Sequence, residues 1–580
     1  MRTLRGVPAS TGVARGPWVR LATVALPAGG RIAADQAEEE IVRLDEARAA
    51  AAAELENLAA DLSAAGADEG EIFDAQAAMA MDPSLSDAAA DAIRGGNDAI
   101  GAVRLAAGAV AAQLRALDNE LLAARATDVL DVAERIVARL AGIERSVALD
   151  RPSIVVAEDI PPSLAAGLPR DRLLGLALES GSSTSHAAIL ARAFGIPAVV
   201  AVGGLLGAAA ALDGGAGSEL VVDGDSGEVV FDPDAEASVR LEGRRAAAAS
   251  AAERALAEAD LPAVTRDGLE VTLLANIGTP AEAERAVALG ARGVGLFRTE
   301  FLFVERSSPP SEDEQAAANR AVVEAFAPGP VTIRLLDVGG DKPIPYLPIP
   351  PEANPFLGVR ALRLAPDRPE LFVTQLRAAM RAAAPPPAGA PPVGRVKVMA
   401  PMVADASDVA VLLRLSETAR RSLADERVAH GEVDLGVMLE IPSAVLVAGT
   451  FLRELRFASL GTNDLLQYTL AADRGNAALE RYRDPLHPAM LRLIASAAAD
   501  AATCGVELSV CGEMGGDPAA ALALVGLGVH VLSMADSSLA PVRRAIRAVD
   551  AGTLREAAQA ALGDVSAAQV RARFEALLPG

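Results

Sequence analysis

Leu435-Gly436-Val437-Met438-Leu439-Glu440 is a short apolar run that stops on a carboxylate and is followed by Ile441-Pro442. Such a run, too short for a core helix, reads as a strand buried on both faces. Seven more of the kind occupy residues 270–277, 293–298, 331–337, 395–402, 457–461, 507–513 and 529–534, with helical segments between them. Eight strand-helix units in roughly 300 residues are the size of a closed (β/α)8 barrel. The spacing therefore predicts a barrel over residues 263–580.

Arg298, Arg334, Asp337, Glu440, Asn463, Asp464 and Cys511 all fall within or just after the C-terminal ends of these runs. A barrel carries its active site at that end. Arg298 and Arg334, on neighbouring strands, can grip a phosphate or carboxylate through forked donors, and Arg474 is a third candidate. Glu440 and Asp464 offer hard oxygens suited to Mg²⁺. Structural ion pairs are the alternative, although an unpaired carboxylate at the end of an apolar run is costly. Cys511 reads either as a small buried hydrophobe or as an acid at the barrel mouth.

Ahead of the barrel the pattern differs. Residues 6–18 read as a strand segment, and 154–157, 173–178, 198–202, 219–223 and 228–231 as further strands, the last two forming a hairpin around Gly224 and Gly227. Residues 38–62, 72–79, 85–94, 97–117 and 123–140 have helical apolar spacing and interrupt this α/β unit. Within residues 31–145 there are 23 Asp/Glu against 10 Arg, a net of −13. That surplus describes either solvated helix faces or a docking surface for a basic protein. Residues 234–260 read as a charged, Ala-rich helix linking two bodies.

One histidine stands out. Glu179-Ser180-Gly181-Ser182-Ser183-Thr184-Ser185 ends an apolar run, and Thr184 and Ser185 offer capping hydroxyls to the helix that His186 begins. Free N–H groups and the dipole there favour an anion and disfavour imidazolium. His186 is thus either a neutral nucleophile for a phosphoryl group or a histidine packed under a loop.

Composition narrows the function classes. The chain has 580 residues, a net charge of −24, 51% hydrophobic and 3% aromatic residues, and two cysteines, Cys504 and Cys511. Such acidity argues against nucleic acid, and two cysteines in so long a chain fit a reducing cytoplasm rather than a disulfide framework. Residues 1–8 lack the apolar core of a signal peptide. The uncharged residues around 193–212 are punctuated by glycine and proline, which argues against membrane insertion.

Ser183-Thr184-Ser185-His186-Ala187-Ala188-Ile189-Leu190-Ala191-Arg192, followed by Gly195-Ile196-Pro197-Ala198, resembles the phosphohistidine signature of the phosphoenolpyruvate-utilising enzymes. Ser182 and Ser183 stand where the usual pattern has a second glycine and often an arginine. Gly293 to Leu302 (GVGLFRTEFL), Asp337 to Lys342 (DVGGDK), Asn354 to Arg360 (NPFLGVR), Leu460 to Leu465 (LGTNDL) and Val510 to Glu513 (VCGE) resemble the barrel motifs of the enzyme I family. The likeness implies a multidomain α/β protein. A swivelling phosphohistidine α/β domain (1–34 and 146–233) would carry an inserted helical domain that binds the phosphocarrier HPr (35–145). A helical linker (234–262) and a phosphoenolpyruvate-binding TIM barrel (263–580) would follow.

The same resemblance implies a cytoplasmic, Mg²⁺-dependent phosphotransferase that starts sugar uptake by the phosphotransferase system, working as a homodimer through the barrel. His186 would be phosphorylated. Arg298, Arg334, Asn463, Asp464 and Arg474 would bind phosphoenolpyruvate, Glu440 and Asp464 would hold the metal, and Cys511 would protonate the enolate. Two other readings stay open: a phosphoenolpyruvate synthase or pyruvate phosphate dikinase relative lacking the nucleotide domain, and a non-catalytic regulatory phosphorelay protein.

Overall fold

The structure is a computed structural model. It describes residues 2–579 apart from 22–25, 65–69, 117–119, 144–148, 161–163, 165–167, 170, 182–184, 194, 213–217, 304–305, 307, 340–343, 345, 348, 351, 387–392 and 475. The chain divides into two compact units, Met1–Ala251 and Ala252–Gly580.

In the first unit eight strands share one sheet: β1 Arg2–Arg5, β2 Val7–Ser10, β3 Val13–Arg20, β4 Ser153–Ala157, β5 Leu173–Leu178, β6 Ala198–Val200, β7 Glu219–Asp223 and β8 Glu228–Phe231. Their order is β1-β8-β7-β3-β4-β5-β6-β2. The expected hairpin is β7–β8, with Asp223 opposite Glu228. The opening stretch 6–18, expected as one strand segment, is two strands, β2 and β3, and β1 precedes it. Gly6 and Gly12 separate the three, Gly12 with a φ of +105°, and send β1 and β2 to opposite edges of the sheet.

Between β3 and β4 the chain leaves the sheet for five helices: α1 Ala37–Ala64, α2 Gly70–Ala80, α3 Pro83–Arg94, α4 Ala99–Ala116 and α5 Glu120–Leu140. Yet β3 and β4 are parallel neighbours, with Trp18 opposite Ile154. The bundle is therefore one long crossover between adjacent strands. Local signals set its helices. In α3, Asp82 accepts from the Ser84 N–H at 2.7 Å, Pro83 occupies the first turn and Gly95 follows the last residue.

Part of the acidic surplus is paired inside the bundle. Glu54 receives Arg135 at 3.0 Å and Arg139 at 2.9 Å, and Glu134 receives Arg104 at 2.9 Å. Leu44, Leu55, Phe73, Ile93 and Ile136 of the bundle share a core with Ala187, Ala188 and Leu190 of α6, His186–Ala193. Burial of this shared core holds the bundle to the helix that the histidine begins. Beyond α7 (Leu205–Leu212), the expected linker helix is α8, Ala235–Ala257. Its first half is tied back to the hairpin by Arg240 on Glu228 at 3.0 Å and by Arg244 on Asp223.

The second unit is a closed barrel of β10 Glu270–Ile277, β11 Val294–Arg298, β12 Val331–Arg334, β13 Val396–Ala400, β14 Asp434–Leu439, β15 Phe457–Leu460, β16 Glu507–Val510 and β17 Val531–Met534. Short β9 (Ala263–Val264) pairs antiparallel with β10. Each barrel strand is parallel to the next, and β10 pairs with both β17 and β11, which closes the ring. All eight expected strands are found. Several end earlier than expected, so Asp337, Glu440 and Cys511 stand just past their strands, on the C-terminal rim.

Around the ring lie α9 Ala281–Ala288, α10 Glu312–Ala325, α11 Pro369–Ala382, α12 Ala406–Glu426, α13 Pro442–Leu446, α14 Thr462–Leu470, α15 Pro488–Cys504, α16 Pro518–Gly526, α17 Asp536–Arg547, α18 Ala551–Ala561 and α19 Ala567–Glu575. Leu296, Met399, Met438, Phe457 and Cys511 form one buried cluster of their own. Gly436 makes room for Phe457, because a Cβ there would meet the ring at 2.4 Å. Lys397, one of two lysines in the chain, lies 4.1 Å from the centre of the Phe457 ring and bonds Glu507 at 2.5 Å. The polar residues of the C-terminal rim thus surround a cavity above a filled interior.

Candidate active site

That cavity measures about 930 Å³ and is lined by Arg298, Arg334, Asp337, Arg360, Glu440, Asn463, Asp464, Arg474 and Cys511, among others. Every barrel residue expected at a site reaches it. Arg298 and Arg334 stand in register on β11 and β12. Arg298 is exposed and lies 5.5 Å from the centre of the Phe301 ring, whereas Arg334 is buried.

The buried charges form an alternating chain. Arg334 donates to Glu300 at 2.7 Å and contacts Asp337 at 3.2 Å. Asp337 accepts a forked pair from Arg360 at 2.8 and 2.9 Å. Arg360 reaches on to Asp464 at 3.2 and 3.3 Å, and Arg474 approaches Asp464 at 3.9 Å. Burial opposes the charge on Arg334, but Glu300, Asp337 and Glu440 outweigh it and hold its pKa above the ordinary arginine value. Removing one member of such a chain strands a buried charge, at about 3–5 kcal/mol.

Glu440 breaks the alternation. Its Oε1 accepts the Met402 N–H at 2.6 Å. Burial first, then the charges of Asp464 and Asp337, push its carboxyl up to about 8 against the pull of Arg334 and Arg360. Cys511 lies 4% exposed, with its Sγ 3.7 Å from the Leu460 carbonyl. Burial pushes this thiol up to about 11; nearby Ser459 and Arg334 work against the rise, and Glu440 adds to it. The backbone at Cys511 is fixed by Asn276, whose Nδ2 donates to the Cys511 carbonyl at 3.0 Å.

The rim loops are also held. Asn463 Nδ2 donates to Glu513 at 3.2 Å, while the Glu513 N–H donates back to Asn463 at 3.0 Å. Arg474 and Arg360 both flank Phe356, at 6.0 and 5.8 Å. From α19, Arg571 forks onto Asp484 at 2.9 Å twice and reaches Asp517 at 2.8 Å. Asp517 itself lines the cavity, as do Arg483 and Pro485 on either side of Asp484.

His186 is the first residue of α6, as expected. Ser182, Ser183, Thr184 and the side chain of His186 lie outside the described residues. Ser185, one of the two hydroxyls expected to cap this helix, does not cap it among the described residues: its Oγ is buried without a hydrogen-bond partner. The oxygen is tucked 3.4 Å from where a Cβ of Gly181 would stand, and Gly181 has a φ of +96° that suits glycine. Asp341 and Lys342 also lie outside the described residues.

Two residues of the buried chain were not singled out from the sequence, Glu300 and Arg360, and a third, Asp337, was noted at its strand end but given no ligand role. Both lie in motifs quoted above. Neither ends an apolar run, the signal that marked Arg334, Glu440 and Cys511.

Among the described residues no three His, Cys, Asp or Glu converge as a metal cage. Mg²⁺ needs none, since one or two carboxylates, substrate oxygens and water suffice. Glu440 and Asp464 offer that pair, and both line the cavity. The residues therefore fit a hard divalent cation.

A barrel with paired arginines, hard carboxylates and a thiol at its C-terminal mouth, joined in one chain to an α/β unit with a helix-first histidine, defines a two-unit barrel enzyme. Residues 252–551 match the family described as PEP-utilising enzyme, PEP-binding domain; residues 5–125 match its N-terminal part and 149–227 its mobile domain. The chain belongs to the PEP-utilising enzyme family. It is 43% identical over 589 residues to the phosphoenolpyruvate-protein phosphotransferase of Streptomyces coelicolor, covering 100% of this chain and 99% of that one. It is 37% identical to the Bacillus subtilis protein of the same name, over 94% of each chain. An NMR solution structure of Enzyme I matches 42% of this chain and 98% of its own, at 31% identity and a TM-score of 0.36.

Proposed function

We infer that this chain is a phosphoenolpyruvate-protein phosphotransferase, which takes the phosphoryl group of phosphoenolpyruvate onto His186 and passes it to a histidine of the small carrier HPr. The observation that carries this reading is the convergence of Arg298, Arg334, Glu440, Asn463, Asp464, Arg474 and Cys511 on one cavity. The end-to-end likeness to relatives of that name supports it over the dikinase and regulatory readings. Labelling of the purified chain by radioactive phosphoenolpyruvate tests it.

In this reading the P–O bond of the substrate breaks as a bond forms from phosphorus to the imidazole of His186. Arg298, Arg334 and Arg474 bind the phosphoryl and carboxylate oxygens and offset their charge. Asn463 orients the substrate by hydrogen bonding. The leaving enolate takes a proton on carbon from the Cys511 thiol and becomes pyruvate, and the thiolate recovers a proton from solvent. A thiol raised to about 11 keeps its proton through the neutral range, so the acid is loaded when the enolate forms. Mg²⁺ bound by Glu440 and Asp464 would supply further neutralisation of phosphoryl charge. The acidic bundle is the docking face for HPr, the barrel is the homodimer contact, and the compartment is the cytoplasm. Among the described residues no helix is long and apolar enough to cross a membrane.

Cys511→Ala is expected to lower pyruvate release by about 10²-fold or more, the usual worth of a positioned acid. Phosphorylation of the same variant by phosphorylated HPr should stay near the parent rate. A coupled pyruvate assay beside a labelling assay checks this, and unchanged pyruvate release would remove Cys511 from the chemistry.

A second expectation concerns pH. Because the folded-state pKa of Glu440 is raised to about 8, the metal-free chain holds this proton through neutrality. Its contribution to stability is full below the ordinary carboxylate pKa and is lost as pH rises towards 8. Mg²⁺ must displace the proton, so affinity should climb between pH 6 and 8 and level off above it, with close to one proton released per ion at the acid end. Calorimetry in two buffers of different ionisation enthalpy counts that proton. The release should vanish in Glu440→Gln.

A further inference from the structure

We propose that Glu300 is a positioning residue for the barrel site, forming with Thr299 and Gln375 a buried seat that aims Arg334 at the substrate. The proposal rests on the reading of Arg334 as a phosphoenolpyruvate ligand. Thr299 and Glu300 follow β11 directly, in the turn Thr299–Leu302, while Arg334 ends the adjacent strand β12. Thr299 Oγ1 donates to the Arg334 carbonyl at 2.8 Å and accepts from Gln375 Nε2 at 3.2 Å. Gln375 Oε1 in turn accepts the Leu336 N–H at 2.8 Å. Glu300 Oε1 accepts from Arg334 Nη2 at 2.7 Å and from the Asp337 N–H at 2.9 Å. The seat therefore grips Arg334 at its carbonyl and at its guanidinium, and it holds the backbone N–H groups of Leu336 and Asp337.

The seat lies out of reach of the ligand. Thr299, Glu300 and Gln375 are 2%, 3% and 4% exposed, and none of them lines the cavity. A residue so placed can influence the substrate only through what it holds. Asp337, the other carboxylate on Arg334, is shared with Arg360. Glu300, among the described residues, has Arg334 as its one ionic partner. Its charge thus answers the guanidinium alone, and it does so from the protein side. With Nη2 tied there, the arginine is presented to the anion already oriented, and binding loses less side-chain freedom.

Glu300→Gln removes the charge and keeps the volume. Reducing a charge-assisted bond to a neutral one should weaken phosphoenolpyruvate binding about ten-fold. The loss should fall on KM, with kcat at saturating substrate kept within about three-fold. A seat that served only folding would lower the melting midpoint and leave KM of the folded enzyme where it was. Thr299→Val, which deletes the contact to the Arg334 carbonyl without stranding a charge, should shift KM the same way by a smaller factor. Steady-state kinetics of pyruvate release read KM and kcat, thermal melts read the midpoint, and titration calorimetry of the parent, Glu300→Gln, Thr299→Val and Arg334→Ala with phosphoenolpyruvate reads the affinity. Affinity within two-fold of the parent in folded Glu300→Gln overturns the proposal. Should that variant not fold, unchanged affinity in Thr299→Val does the same. If Arg334→Ala itself binds like the parent, the reading of the site has failed rather than the seat.

Discussion

His186→Ala will take no label from phosphoenolpyruvate and will still bind it. The histidine opens α6 in Met1–Ala251, whereas every lining residue of the cavity lies in Ala252–Gly580. The hydrophobic cores divide in the same way, so the substitution disturbs no packing in the barrel. Sites without shared partners are energetically independent, and the affinity should change by less than about two-fold. Phosphoprotein should fall to background. Calorimetry beside a labelling assay measures both, and loss of phosphoenolpyruvate binding in this variant would contradict the division of labour between the two units.

The second large effect is expected of the chain cut after residue 260. This fragment contains the whole sheet, the five-helix insert and their cores, and should fold alone. It should accept a phosphoryl group from phosphorylated HPr and be inert towards phosphoenolpyruvate, because none of the arginines at the barrel mouth is present. Its association with HPr should slow as salt is added. The insert keeps an acidic surplus after its internal pairs are subtracted, and a charged face steers an oppositely charged partner only within a Debye length. Stopped-flow mixing over a salt series reads the rate. Direct labelling by phosphoenolpyruvate would show that the donor site is not in the barrel.

The barrel was legible because its strands are largely buried on both faces, so most read as short apolar runs, and a charge at the end of such a run is costly unless something holds it there. Glu440 shows the signal at its plainest. Arg360 was out of reach by the same logic. It follows an irregular stretch after β12, and its partners Asp337 and Asp464 are 23 and 104 residues away. Pairings made by closure of the ring leave no mark in local pattern. The opening strands misled for a related reason: alternation reveals a strand but not its neighbours, and β1 and β2 diverge at a single glycine. Likewise nothing in residues 21–152 tells that the strands on either side of the insert lie together in the sheet. At Ser185 the residue type was right for a cap, but its hydroxyl is buried near Gly181 without a hydrogen-bond partner.

Arg571 gives the barrel mouth a dependency that its position in the chain conceals. The loop bearing Arg474 runs into Asp484, and the turn after Cys511 runs into Asp517; both carboxylates are fastened to one guanidinium in the last helix. The two loops are therefore not independent surface segments. Replacing Arg571 alone, which leaves Val570 and Phe574 of α19 in the core, would register as an active-site lesion in a protein that still melts cooperatively.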